Sequence, residues 1–174
     1  MKARRIPSPI VVEHRTLSGG LRLYVVPKPG YAKKHALASV DYGAIDNDFL
    51  PAHRRLVRMP SGVAHFLEHK MFEKKSGDVT DRFAKYGAQA NAMTSLTNTG
   101  FYFECTENFA ENLAILAETV FEPYFTPALV KKEQGIIAQE IRMYHDDPSW
   151  RAYMAMMRNL FGDHPVSTDI AGTV

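Results

Sequence analysis

The sequence has one cysteine, no block of like charges and no long apolar run, and each shortage narrows what the chain can be. A lone Cys105 cannot close an internal disulfide, which suits a reducing cytosol, and its apolar surroundings read as those of a buried core thiol. Lys and Arg number 21 against 19 Asp and Glu, a formal charge of +2, so charge alone predicts neither a nucleic-acid nor a membrane partner. Behind Met1-Lys2-Ala3-Arg4-Arg5, the apolar stretch Ile10-Val11-Val12 is too short for a signal-peptide core or a membrane span. No export route is visible, and a cytoplasmic location is expected. Repeats and low-complexity segments are also lacking.

What is present fits one globular domain: 174 residues, 45% hydrophobic and 23% charged, enough to bury a real core. The stretch from His164-Pro165-Val166 to Gly172-Thr173-Val174 reads as a loop leading onward. Residues 1–174 are therefore expected to form a single domain that is incomplete at its C-terminal end.

Residues 9 to 17 and 21 to 27 are β-rich runs joined by Ser18-Gly19-Gly20, a hairpin signal, and 36 to 42 read as a third strand. Residues 46 to 60 form a polar, proline-bounded connection whose His53-Arg54-Arg55 and Arg58 read as solvated surface. From Ser61, a plausible N-cap after Pro60, the period becomes helical, with Val63, Phe66, Leu67, Lys70 and Met71 at spacings of three and four. A short helix over 77 to 86 carries Asp78 in its first turn and ends at Gly87. Strands over 88 to 96 and 101 to 106 flank the turn Thr97-Asn98-Thr99-Gly100. Helices of about 108 to 122, 126 to 145 and 149 to 161 follow, separated by Pro123, Pro127 and Pro148. This order predicts an α+β domain: a mixed or antiparallel sheet with helices packed on one side.

His65-Phe66-Leu67-Glu68-His69 lies within the predicted helix. Residues four apart share a face, so His65 and His69 present two imidazoles one turn apart, the spacing that a tetrahedral zinc ion needs. Glu68 beside them can take a proton from water that the metal has acidified and pass it to a leaving amine. The order H-x-x-E-H is the inverzincin peptidase pattern, only moderately specific on five residues. The other reading is one solvated face of a surface helix.

The helix over 126 to 145 decides between them. Leu129, Val130, Ile136, Ile137, Ile141 and Tyr144 form its apolar stripe, with Lys131, Lys132, Gln134, Gln139 and Arg142 opposite. Glu133 and Glu140 fall inside the apolar stripe, about two turns apart. A carboxylate among aliphatic residues is costly unless paired or metal-bound. The economical solution makes Glu140 the third ligand, with the fourth position left to water, and Glu133 an accessory carboxylate. A buried salt bridge to arginine is the alternative for either. Asn91-Ala92-Met93-Thr94 puts a small residue in a strand, which could admit an extended peptide as an added strand or be ordinary core. His14, His35, His53, His145 and His164 have no partner at ligand spacing and are assigned to surface or packing.

With these residues the chain resembles the pitrilysin and insulinase family of zinc peptidases, in the branch that includes mitochondrial processing peptidase and its bacterial relatives. The resemblance runs in order through Ser18 to Leu23, Tyr42 to Asp46, Gly62 to His69, Asn91 to Thr94, the pair Glu133 and Glu140, and His164-Pro165 to Gly172-Thr173. It implies an N-terminal catalytic domain with His65, His69 and Glu140 as ligands of one zinc ion per chain. It also implies Glu68 as general base, Glu133 as the accessory acid, and Asn91 and Ala92 on the edge strand that holds substrate backbone. The interval from His69 to Glu140 is slightly shorter than is commonest in the family. Active members enclose substrate between two related halves, so a second homologous half is expected, in the same longer chain or as a partner subunit.

Two functions are therefore weighed. The first is a zinc metallo-endopeptidase domain that hydrolyses short or unfolded polypeptides. The second is a non-catalytic zinc-binding fragment or assembly subunit that needs a missing half. A helical binding module with a coincidental H-x-x-E-H would bind no stoichiometric metal.

Overall fold

The computed structural model describes residues 10–51 and 55–173. They fall into two compact units, Met1–Ala32 and Lys33–Val174. In the first, β1 (Glu13–Thr16) and β2 (Arg22–Val25) form the antiparallel hairpin expected from Ser18-Gly19-Gly20. Gly20 turns it with φ +84, where a side chain would be strained.

The second unit is built on β3 (Lys34–Val40), β8 (Gln89–Thr94) and β9 (Thr99–Cys105), in the order β3-β9-β8 and antiparallel throughout. β9 lies between two strands and is buried along most of its length, whereas β8 alternates exposed and half-buried residues. That alternation is what period 2 dictates for a sheet with one covered face. Helices α1 (Val63–Met71), α2 (Val79–Lys85) and α3 (Phe109–Phe121) pack on that face. The core joins Val79 and Phe83 of α2, Phe101, Phe103 and Cys105 of β9, and Ile115 and Leu116 of α3. Phe103 is 0% exposed and its ring lies 5.7 Å from that of Phe83. The α+β architecture with helices on one side thus follows the expectation, and Cys105 is a buried core thiol.

Helices α4 (Pro127–Asp146) and α5 (Pro148–Phe161) complete the unit, followed by a 3-10 turn at Pro165–Ser167. Each begins where its sequence starts it. Thr126 accepts from Leu129 N at 3.3 Å, Asp147 accepts from Ser149 N at 2.8 Å, and both have proline in the first turn.

Several local expectations are corrected. The cap of α1 is Gly62, at φ 89 and without a side-chain cap, rather than Ser61. The reason is space: a Cβ on Gly62 would lie 2.5 Å from Ala171 O. The turn between β8 and β9 is Ser95 to Asn98, two residues earlier than expected, closed by Ser95 N donating to Asn98 O at 2.8 Å. The connection over 46 to 60 contains a small ladder, β4 (Asp48–Phe49) with β5 (Val57–Arg58). Arg55 and Arg58 are exposed, as read, while His53 and Arg54 lie outside the described residues. A second unforeseen ladder pairs β6 (Glu73–Lys74) with β7 (Gly77–Asp78), and Asp78 caps α2 by accepting from Thr80 N at 2.7 Å. Among the described residues, no helix is long and apolar enough to cross a membrane.

Candidate metal and peptide site

Helix α1 packs between the β8 edge and helix α4. One turn of helix separates His65 and His69, whose ring centroids are 4.6 Å apart, and both rings face α4. There Glu140 places Oε1 3.8 Å from His65 Nε2 and Oε2 3.5 Å from His69 Nε2. The three residues form a group whose candidate ligand atoms lie within 4.8 Å of one another.

Glu133 is 8% exposed and puts Oε1 3.0 Å from His69 Nδ1. A carboxylate only accepts, so Nδ1 carries a ring proton and donates it to Glu133, while Nε2 is turned toward Glu140. His65 is held in its neutral form chiefly by burial, and further by the neighbouring His69, both of which lower its pKa. Its Nδ1 is buried without a hydrogen-bond partner among the described residues. Two imidazoles and a carboxylate therefore converge between α1 and α4. Ligands about 2.0–2.2 Å from one tetrahedral ion lie roughly 3.3–3.6 Å apart, close to the separations seen here, and two nitrogens with one oxygen are a usual donor set for zinc. The residues fit a cation of that kind.

The base predicted from sequence, Glu68, is held from the sheet. Thr94, at the end of β8, donates its hydroxyl to Glu68 Oε2 at 2.5 Å and leaves Oε1 unconstrained by that bond. Ala90, Ala92 and Thr94 share the half-buried face of β8, and Asn91 points to the exposed one. Among the described residues β8 has a strand neighbour on one side only. At the open edge Ala92 N is satisfied by the Oδ1 of its own neighbour, Asn91, at 2.8 Å. A cavity of about 520 Å³ runs from Glu68 and His69 along Ala90, Asn91 and Ala92 to Glu133 and Lys132.

The structure brings together His65, His69, Glu140, Glu133 and Glu68, and sets Asn91 and Ala92 beside them. Among the described residues, neither Glu133 nor Glu140 pairs with an arginine, the alternative raised from sequence. Of the other histidines, His14 stacks on Tyr24, His35 lies beside Glu104 and Tyr102, and His164 caps Val166 N. His145 is exposed and His53 lies outside the described residues. Sequence reasoning missed three contributors. Thr94 is one, although its spacing of two from Ala92 places it on the same strand face. Tyr144 is another: its pKa is raised by burial first and then by the carboxylate of Glu140. The spacing of four from Glu140 was the available signal. The third is Lys70, one residue after the motif and 0% exposed, which the structure pairs with Glu73. Its helical period resembles that of an apolar core position, so only the partner reveals its charge as tolerable.

An antiparallel sheet with an open edge strand, beside two helices that bring two imidazoles and a carboxylate together, has the layout of a metal-dependent peptidase domain. The chain belongs to the insulinase family, peptidase family M16, which residues 58–174 match. It is 51% identical over 162 residues to a Bacillus subtilis (strain 168) protein named uncharacterized zinc protease YmfH, an alignment covering 92% of this chain and 38% of that one. The crystal structure of an M16-like peptidase from Alicyclobacillus acidocaldarius superposes with a TM-score of 0.92 at 40% identity, over 97% of this chain and 40% of that chain. A peptidase M16 inactive domain from Pseudomonas fluorescens shares the fold, with a TM-score of 0.78 at 16% identity over 95% of this chain and 39% of its own. The chain thus spans about two-fifths of the length of each of these three relatives.

Proposed function

We propose that residues 1–174 belong to a catalytic domain of a zinc metallo-endopeptidase that hydrolyses short or unfolded polypeptides. His65, His69 and Glu140 would hold one zinc ion per chain, with Glu133 fixing the tautomer and orientation of His69. Zinc at such a site supplies Lewis acidity, which acidifies a water and polarises a peptide carbonyl. The observation that carries the reading is the convergence of His65, His69 and Glu140 within 4.8 Å, next to a carboxylate at an open sheet edge.

The remaining steps belong to the chain's own side chains. Glu68 takes the proton of the attacking water on Oε1, the oxygen that Thr94 leaves unengaged, and delivers it to the departing amine. Ala92 offers its N–H to the substrate backbone once Asn91 releases it, so that the peptide lies beside β8 as an added strand. A second homologous half, in the same longer chain or as a partner subunit, would close the site over the peptide. That half accords with the chain's span of 38% of YmfH.

Zinc content and cleavage of a quenched fluorescent peptide, measured on one sample with a chelator control, test the proposal. One zinc per chain with chelator-sensitive cleavage is expected, and folded protein without zinc would overturn the ligand assignment. Glu68→Gln should keep the metal and abolish hydrolysis, while Glu140→Gln should weaken the metal itself. A second reading, a zinc-binding assembly subunit without turnover, draws on the same fold in an inactive domain. Zinc without cleavage, even with the second half present, would favour it.

A further inference from the structure

The segment from His164 to Gly172 has no part in the chemistry above, yet it lies where α1 and α4 meet. Ala171 is 8% exposed and clusters with Ile137 and Ile141 of α4, and Phe66 of α1 packs against the three. The backbones cross closely beside that cluster. A Cβ on Gly172, which has φ +83, would lie 2.4 Å from Ser61 O, and one on Gly62 would lie 2.5 Å from Ala171 O. Gly62 is the cap of α1 and accepts from Phe66 N at 2.8 Å, so whatever presses on Gly62 presses on the first turn of the helix that carries His65.

Asp169 is what shapes the pressing turn. It is 8% exposed, and both its oxygens are used: Oδ1 accepts from Ala171 N at 2.9 Å and Oδ2 from Trp150 Nε1 at 2.9 Å. Trp150 lies tilted against Tyr144 of α4, with ring centroids 5.4 Å apart, and Tyr144 sits one turn beyond Glu140 on the same helix. A continuous chain of contacts therefore runs from Glu140 through Tyr144, Trp150 and Asp169 to the turn that abuts Gly62. The apolar cluster linking α1 and α4 directly is small, one phenylalanine against two isoleucines and an alanine. Beyond that cluster the two helices meet through the His65 and His69 contacts to Glu133 and Glu140, and a metal site needs its ligands held to about 0.5 Å.

We propose that Asp169 is a positioning residue for the metal site: with Trp150 it clamps the 169–172 turn against the start of α1 and so sets the distance between His65 and Glu140. The proposal rests on the reading of His65, His69 and Glu140 as ligands. Asp169→Asn tests it, because an amide of the same shape must turn an NH2 donor toward one of two donors, Trp150 Nε1 or Ala171 N. Cobalt, whose absorption reports coordination, is titrated into the intact protein as wild type, Asp169→Asn and Lys74→Met. Lys74 is bonded to the end of α3, and its variant controls for lost stability alone.

Asp169→Asn is expected to weaken cobalt binding about 10- to 100-fold, the range for residues that orient ligands, while Lys74→Met leaves it unchanged. Trp150→Phe, which removes only the donor to Oδ2, stands in if Asp169→Asn does not fold, with the same weakening expected. Binding within twofold of wild type by the folded variant, or equal weakening by Lys74→Met, overturns the clamp. A wild type that takes up no cobalt overturns the ligand reading itself, which separates that failure from the failure of Asp169 alone.

Discussion

Glu133 Oε1 lies 3.0 Å from His69 Nδ1, while Nε2 of the same ring stands 3.5 Å from Glu140 Oε2, so one imidazole spans the two carboxylates that α4 keeps two turns apart. The spacing of seven residues on α4 and the position of His69 on α1 are therefore matched to each other. Replacing Glu133 by Gln should keep the shape and remove the charge that fixes the ring. Zinc affinity is expected to fall about 10- to 100-fold, read by competition with a chromophoric chelator. Unchanged affinity would mean that His69 is oriented by packing alone.

Thr94 holds one oxygen of Glu68 from the opposite side of the site. Thr94→Val keeps the β-branched volume and deletes the donor. Hydrogen bonds to charged groups contribute roughly 1.5–3 kcal/mol, so kcat should fall by about tenfold or more with zinc content and KM little altered. A change confined to KM would place Thr94 on the substrate rather than on the base.

Asn91 occupies the Ala92 N–H that an added strand would use. A peptide must displace that bond, so Asn91→Ala should lower KM several-fold, about 1 kcal/mol of removed competition. A higher KM in the variant would show instead that the Asn91 side chain grips the substrate.

Lys74 donates to the carbonyls of Glu118, Thr119 and Glu122 at 3.0, 3.1 and 2.5 Å, satisfying the last turn of α3 in place of a glycine cap. Burial lowers its pKa, the cost of placing a cation there. Lys74→Met leaves one buried and two part-buried carbonyls without this donor and should cost about 2 kcal/mol in urea unfolding. A loss below about 0.5 kcal/mol would mean that water replaces the ammonium.

Glu118 keeps its carboxyl below the usual range chiefly through the hydrogen bond from Arg82, at 2.6 Å. A folded-state pKa below the unfolded one gives stability that is present above the ordinary value near 4.5 and lost as pH falls through the depressed value. Both side chains are partly exposed, so screening holds the effect to about 1 kcal/mol or less. Arg82→Met should accordingly be less stable than wild type at neutral pH, with the gap closing in acid. A gap that stays constant below pH ~3 would assign the loss to packing.

Much of the candidate site could be read along the chain because its parts are local. The i to i+4 spacing of His65 and His69 and the two carboxylates in the apolar stripe of α4 follow from a 3.6-residue period. The helices over 108 to 122, 126 to 145 and 149 to 161 were likewise legible, since threonine, aspartate and proline mark two of their starts. Failures came where a distant segment overrules a local preference. Ser61 is a good capping residue, but the backbone at Ala171 leaves room only for glycine at the cap, and Gly62 takes it.

The sequence by itself determined which side chains could ligate, which carboxylate could serve as base, and that helices would cover one face of an antiparallel sheet. These depend on residue type and on periodicities of two and 3.6, which act within a few residues. Tertiary structure alone decided that Thr94 reaches Glu68, that Trp150 reaches Asp169, and that the backbone at Ala171 abuts Gly62. Each of those contacts joins segments or edges whose approach is set by packing of the whole unit, and no local pattern encodes a distance of that kind.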